Sequence, residues 1–142
     1  MNREELIRRL NDDLAQEYQA IIMYNHYSAR LTGSDRPQLS GFLRAEIADE
    51  LAHAQFLADK ITALGGEPTT QAAPVAPAGT NQEMFRQVLA AEEKAIADYS
   101  QRVRDADAFG DVGLRVQLEN IVAEETRHKE ETQKILARWT ES

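Results

Sequence analysis

Apolar side chains recur every three or four residues along four stretches of the chain, which is the spacing of one face of an α-helix. In the first stretch this face runs through Leu10, Leu14, Glu17 and Ile21. Glycine and proline are nearly absent from all four stretches, which are rich in strong helix formers. The pattern predicts helices over residues 1–32, 42–64, 81–108 and 114–142. Each apolar face holds one glutamate near its middle: Glu17, Glu50, Glu92 and Glu125.

The connections between the predicted helices differ in length. The first, TGSDRP, and the third, around Phe109–Asp111, are short and built from turn residues, so each joins an antiparallel hairpin. The second covers about residues 65–79 and is rich in proline. Extended, it reaches about 50 Å, which exceeds the ~40 Å length of such a helix. The sequence therefore predicts an all-α fold, a four-helix bundle of two antiparallel hairpins joined by a long crossover, in a single domain over residues 1–142.

The two halves of the chain repeat each other at an offset of 75 residues. This self-similarity indicates a duplicated helical hairpin, and it includes ionisable residues that point into a predicted core. The matching pairs are Leu14 and Leu89, Glu17 and Glu92, Ile21 and Ile96, Tyr24 and Tyr99, Ile47 and Val122, Glu50 and Glu125, and His53 and His128.

Each predicted hairpin places its two core glutamates at the same height, because residues equidistant from a turn face each other in an antiparallel pair. The midpoints of both pairs fall in the predicted turns. Two packed hairpins can therefore bring four carboxylates to one level of the core. His53 and His128 stand three residues after Glu50 and Glu125 and share their helix faces.

Four buried, ionised carboxylates need positive charge beside them, because their desolvation is otherwise prohibitive. No lysine or arginine occupies the stripes at that level, although Arg127 and Lys129 lie beside them and can point outward. Two divalent cations would balance the four carboxylates. Mixed carboxylate and imidazole ligation suits iron or manganese, and zinc can compete. The candidate ligands are Glu17, Glu50, His53, Glu92, Glu125 and His128.

Simpler interpretations compete with parts of this site. A single Glu-x-x-His is commonly a solvated pair, although two in register with two further core glutamates favour metal. Tyr24 and Tyr99 either hydrogen-bond a ligand carboxylate or fill the core with their rings. His26 lies off the stripe and is expected at the surface or an interface. A further group of acids is most simply a solvated face: Asp13, Glu46, Asp49, Glu93, Glu124 and Glu130. Of these, Glu46 and Asp49 can also guide ions toward or away from the metals.

Composition excludes other kinds of function. The chain has no cysteine, which rules out disulfides, zinc ribbons and thiol nucleophiles. A net charge of -8 with scattered lysine and arginine argues against a nucleic-acid partner. The N-terminus is charged, and no run approaches the ~18 apolar residues of a membrane span. We expect a soluble cytoplasmic protein with neither nucleic acid nor membrane as a partner.

Four segments resemble the ligand segments of the ferritin-like superfamily, and of bacterioferritins in particular. They are QEYQAIIMY, IADELAHA, LAAEEKAI and VAEETRHKE, and the resemblance covers essentially the whole chain. It implies two iron ions bridged by Glu50 and Glu125, with manganese or zinc as possible substitutes. The resemblance also implies that Glu17 and His53 complete the site of one metal, and that Glu92 and His128 complete the site of the other. The family oxidises Fe(II) with dioxygen or peroxide, and its storage members deposit Fe(III) mineral inside a shell.

The chain departs from the family in ways that refine the expected function. Leu51 stands where bacterioferritins place a haem-ligating methionine, so we expect no haem. Ala95 replaces the extra glutamate usual in rubrerythrins, and the chain stops soon after Trp139 without the short fifth helix of cage-forming ferritins. We expect Fe(II) oxidation for iron storage or detoxification. The alternatives are a rubrerythrin-like di-iron or manganese peroxidase or oxidase, and a non-catalytic metal-binding bundle.

A second apolar stripe on the first predicted helix indicates a protein partner. Tyr18 and Ile22, joined by Phe42 or Phe56 from the second helix, can form a self-complementary patch. We therefore predict at least a homodimer through these two helices. The matching part of the third predicted helix is expected to keep charge on its outer face, at Glu93, Asp98 and Arg102.

Overall fold

The computed structural model describes residues 1–140, and in this range every regular element is a helix. The predicted all-α bundle of two antiparallel hairpins with a long crossover is confirmed. Five helical segments form the four bundle helices, because α2 and α3 are two parts of the second one. They are α1 (Arg3–Arg30), α2 (Arg36–Ala45), α3 (Ile47–Ala63), α4 (Asn81–Phe109) and α5 (Val112–Leu136).

Local side-chain chemistry sets where the helices begin. Asn2 accepts a hydrogen bond from the backbone N–H of Glu5 at the start of α1, and Thr80 accepts one from Glu83 at the start of α4. Asp111 does the same for α5. Each of these side chains satisfies a backbone donor that the first helical turn leaves without a partner. Between α4 and α5, Gly110 adopts φ +88°, which suits glycine.

Two predicted helix boundaries were wrong. The second bundle helix begins at Arg36, not at residue 42, because Pro37 lies in its first turn, where no backbone N–H is needed. The fourth helix ends at Leu136, so residues 137–140 do not continue it, and residues 141–142 lie outside the described range. At Glu46 the backbone N–H bonds to the carbonyl of Leu43, and this tighter turn separates α2 from α3.

The crossover runs along α1 and carries the chain to the start of α4. Three side chains of α1 donate hydrogen bonds to backbone carbonyls of the crossover. The amide of Asn11 donates to Glu67 (3.1 Å), the amide of Gln19 to Pro74 (2.7 Å) and the guanidinium of Arg30 to Ala78 (2.7 Å). These bonds occur in the same order along both segments, so the crossover is parallel to α1 and places α4 parallel to α3.

Two apolar clusters fill the bundle and leave a layer between them. One contains Leu10, Leu14 and Leu118, and the other contains Met23, Phe85 and their neighbours. The buried glutamates of the four bundle helices lie in the layer between the clusters. Among residues 1–140, no helix is long and apolar enough to cross a membrane.

Candidate metal centre

The four core glutamates surround one small cavity. Glu17 on α1 and Glu50 on α3 are each 3% exposed, and Glu92 on α4 and Glu125 on α5 are each 2% exposed. All four line a cavity of about 30 Å³, which is room for about two water-sized groups. The structure therefore brings four carboxylates from four helices to one level of the core.

Both histidines turn Nδ1 toward these carboxylates. Nδ1 of His53 lies 3.5 Å from Glu125 Oε1, 3.6 Å from Glu17 Oε1 and 3.9 Å from Glu50 Oε2. Nδ1 of His128 lies 3.8 Å from Glu50 Oε1 and 4.0 Å from Glu125 Oε2. Glu50 and Glu125 are thus the two carboxylates that approach both imidazoles.

The six candidate ligands share one feature that fits bound cations. Each has a buried side-chain atom without a hydrogen-bond partner, and such atoms are costly unless an ion or water satisfies them. Oxygen and imidazole nitrogen donors suit iron, manganese or zinc. The atoms are Glu17 Oε2, Glu50 Oε1, His53 Nδ1, Glu92 Oε1, Glu125 Oε1 and His128 Nδ1.

The candidate ligands lie closer together around His53 than around His128. Ligand atoms of Glu17, Glu50, His53 and Glu125 all lie within 4.8 Å of one another. Glu92 is outside this group, and its Oε2 accepts a hydrogen bond from Tyr24 at 3.3 Å. The structure thus assembles one four-residue set around His53, while His128 and Glu92 are farther from a common point.

The site holds protons in the absence of cations. Burial raises the pKa of Glu50 to about 7, with the charge of Glu17 adding to the effect, and burial raises that of Glu92 to about 8. Burial and the charge of Glu50 raise the pKa of Glu125 to about 9. Divalent cations would displace these protons, because metal ligation requires the deprotonated carboxylate.

The histidine pKa values rise although burial acts in the opposite direction. Burial lowers the pKa of His53, but interactions with Glu17 and Glu50 outweigh it and raise the value to about 11. For His128, Glu46 is the first of the acids that overcome burial, and the pKa is about 9. Both imidazoles are therefore held as cations by their acidic neighbours.

Both predicted tyrosines donate hydrogen bonds to candidate ligands, and each bond crosses between the repeated halves. The Tyr99 hydroxyl lies 2.5 Å from Glu17 Oε1, and the Tyr24 hydroxyl lies 3.3 Å from Glu92 Oε2. Each tyrosine thus orients the glutamate of the other hairpin. His26 is exposed on α1, as expected for a residue off the stripe.

Three acids of the predicted solvated face contact the histidines. The side chains of Glu124 and Asp49 are still 41% and 44% exposed, whereas that of Glu46 is 13% exposed, against the prediction. Glu124 lies 2.5 Å from His53 Nε2, and Glu46 and Asp49 lie 2.7 and 3.2 Å from His128 Nε2. The 75-residue offset relates Asp49 to Glu124, so the repeat itself held a signal that these two acids share a role.

Asp13 and Arg102 were also misplaced by the sequence pattern. Asp13, assigned to the solvated acids, is 3% exposed, and Arg102, assigned to an outer face, is 7% exposed. Arg102 Nε and Nη2 donate to the two Asp13 oxygens at 2.7 and 3.0 Å. Burial raises the pKa of Asp13 to about 6 against the opposing effect of Arg102. Mutual neutralisation is what allows both charges to enter the bundle.

Comparison with known proteins shows which family the chain matches. The family described as "Ferritin-like domain" matches residues 7–141. A bacterioferritin from Desulfovibrio desulfuricans is 33% identical over 132 residues, covering 89% of this chain and 74% of that protein.

Two solved structures show the same arrangement of helices. A ferritin-like, diiron-carboxylate protein from Bacillus anthracis has a TM-score of 0.93 and 43% identity, covering 96% of this chain and 99% of that one. The bacterioferritin structure from Desulfovibrio desulfuricans, described by its diiron site in different catalytic states, has a TM-score of 0.88 and 30% identity, covering 96% and 83%. The chain therefore belongs to the ferritin-like family, and its most similar relatives include bacterioferritins.

Proposed function

We propose that this protein oxidises Fe(II) at a carboxylate-rich di-iron centre, using dioxygen or peroxide, in iron storage or detoxification. The observation that carries the proposal is the set of six buried candidate ligands, four glutamates around one cavity and two histidines that face them, each with an atom that has no hydrogen-bond partner among residues 1–140. The similarity to bacterioferritins and to a diiron-carboxylate protein supports iron as the metal.

We assign the ligand roles from the distances. Glu50 and Glu125 approach both imidazoles and would bridge the two irons. Glu17 and His53 would complete one position, and Glu92 with His128 the other. Two Fe(II) ions held by these residues would each give one electron to the oxidant. Tyr24 and Tyr99 hold the terminal glutamates in place, and the protons on the buried carboxylates leave as iron enters.

An aerobic titration of metal-free protein with Fe(II) tests this proposal. We expect a fast phase of Fe(III) formation that saturates at about two irons per chain, coupled to oxygen or peroxide consumption. Sizing and iron counting after excess Fe(II) would then show whether mineral is retained. Slow oxidation at the rate of buffer alone would refute the proposal. Peroxide loss without iron retention would favour the peroxidase alternative, and bound iron inert to oxidants would favour a non-catalytic bundle.

We further propose that the chain forms one domain and at least a homodimer through α1 and the α2–α3 helix. Ile22 and Leu51 are 49% and 46% exposed on these helices, and Tyr18 is only partly buried. We also propose that the protein binds no haem, because Leu51 has no ligating atom. Haem added to the purified protein should give no stoichiometric absorption band of methionine-ligated haem, and such a band would contradict this assignment.

A further inference from the structure

The two imidazole rings of the candidate site each turn one nitrogen toward the core glutamates and the other toward a different acid. His53 is 5% exposed and His128 is 3% exposed, and Nδ1 of each has no hydrogen-bond partner. The opposite nitrogen, Nε2, points away from the glutamate layer in both cases. Which proton each imidazole keeps therefore depends on what Nε2 contacts.

For His53 the contact is a single acid from the other half of the chain. Nε2 of His53, on α3, lies 2.5 Å from Glu124 Oε2 on α5. A carboxylate accepts hydrogen bonds, so Nε2 is the donor and retains its proton. When a cation is bound, the lone pair of Nδ1 would then face the core carboxylates and be free to ligate it.

His128 is held by the equivalent contact in the opposite direction, with one addition. Its Nε2, on α5, lies 3.2 Å from Asp49 Oδ2 on α3. Glu46 Oε2, where α2 meets α3, lies 2.7 Å from the same nitrogen. The residue that the 75-residue offset pairs with Glu46 is Ile121, which is buried in the apolar core. Within residues 1–140, His128 is thus the one of the two histidines whose Nε2 has a second acid within 4 Å.

We propose that Glu124 is the positioning residue for His53, and that Asp49 with Glu46 positions His128, so that each hairpin orients the histidine of the other. The inference deepens the proposed function and rests on it. An acceptor on Nε2 fixes both the tautomer and the ring orientation of a ligating histidine, and its loss lowers metal affinity about 10- to 100-fold. The acids lie outside the six ligands and contact the imidazoles on the side away from the cavity.

Zn(II) is a suitable probe, because it binds the same donors without redox chemistry. We would titrate metal-free protein with Zn(II) by calorimetry and assign the histidine tautomers of the Zn(II) complex by long-range proton–nitrogen NMR. In Glu124→Ala, which removes the acceptor, we expect the binding step that involves His53 to weaken about 10- to 100-fold. The His53 Nε2 proton should lose its strongly hydrogen-bonded shift, while His128 stays unchanged.

Matched variants separate positioning from a general effect of charge. Glu130→Ala removes the same charge from an exposed position of α5 and should leave affinity and both tautomers unchanged. Glu124→Asp keeps an acceptor and should restore part of the affinity. Replacing both Glu46 and Asp49 with alanine should act on the His128 signals and leave His53 unchanged, with exposed Asp59→Ala as a control.

The result that would overturn the inference is wild-type Zn(II) affinity with unchanged His53 tautomer in Glu124→Ala. Equal changes at both histidines together with lost helicity would also overturn it, because they would mark a structural role. If the tautomer result holds while the protein fails to oxidise Fe(II), the positioning role stands and the ferroxidase proposal fails.

Discussion

The repeated halves of the chain carry the same candidate ligands in the layer of buried glutamates. At equivalent positions outside that layer they carry different side chains. In the first half, Tyr27 and Arg30 reach out to the crossover carbonyls of Ala76 and Ala78. Their counterparts 75 residues later, Arg102 and Asp105, bond to each other at 2.6 Å.

The same contrast appears at Asp13, whose counterpart is Val88. Asp13 pairs with Arg102, whereas Val88 is fully buried among apolar side chains. The proposed paired metal site would require donors from both halves, and both halves carry the candidate donors. Outside that layer the side chains only need to fill the core without leaving a buried charge unpaired. A buried ion pair and an aliphatic side chain both meet this requirement.

The largest expected effect is in the metal layer. Glu50→Ala or Glu125→Ala should reduce Fe(II) oxidation to the buffer rate, because each removes a carboxylate that approaches both histidines. His26→Ala, outside the layer, should keep nearly full activity. Stopped-flow absorbance after mixing with Fe(II) measures the rates, and equal activity in the three variants would refute the site assignment.

Outside the layer, breaking the buried ion pair should be strongly destabilising. Asp13→Ala leaves Arg102 with one fewer acid in a buried position, and losing one partner of such a pair costs about 3–5 kcal/mol. The double variant Asp13→Val and Arg102→Tyr, which gives each position the residue of its counterpart in the other half, Val88 and Tyr27, should recover much of the loss. Urea unfolding followed by circular dichroism measures both. A single variant as stable as the wild type would contradict the role of the pair.

The pH response should distinguish metal-free from metal-loaded protein. The carboxyl pKa values of Glu50, Glu92 and Glu125 lie at about 7, 8 and 9 in the folded chain, above their ordinary 4.5. Those of His53 and His128 lie at about 11 and 9, above 6.5. Groups with raised pKa values stabilise the fold at low pH and lose that contribution as pH rises through the folded values.

The metal-free protein should therefore melt at a lower temperature at pH 9 than at pH 6. Bound Zn(II) should reverse this trend, because it takes over the neutralising role of the protons and binds more tightly as they leave. Differential scanning calorimetry with and without Zn(II) is the measurement. A metal-free melting temperature that rises from pH 6 to pH 9 would contradict the assigned direction.

The smallest effect on the fold is expected at the exposed apolar patch of the first half. Ile22 is about half exposed and lies on an apolar surface. Ile22→Glu should weaken a homodimer because it places a charge on that surface. Helicity and Zn(II) affinity should stay close to wild type. Analytical ultracentrifugation at micromolar concentration tests this prediction. A monomeric unmodified protein would show that the patch is not a dimer interface.

Much of the fold could be predicted from the sequence because the helices obey local rules. The spacing of apolar positions, the turn residues around Gly33 and Gly110, and the proline-rich crossover all act within a few residues of the chain. The start of α2 was missed because a proline is tolerated in the first turn of a helix, so its presence does not decide whether a helix begins before or after it.

The amino-acid sequence by itself determined the donors, their helices and their common level, because helical period and the 75-residue repeat are properties of the chain. Tertiary structure alone decided which acids reach His53 and His128, and that Asp13 and Arg102 are buried together. A charged side chain next to an apolar stripe can face solvent or a partner on another helix. That choice depends on the rotation and distance of helices far apart in sequence, which periodicity does not specify.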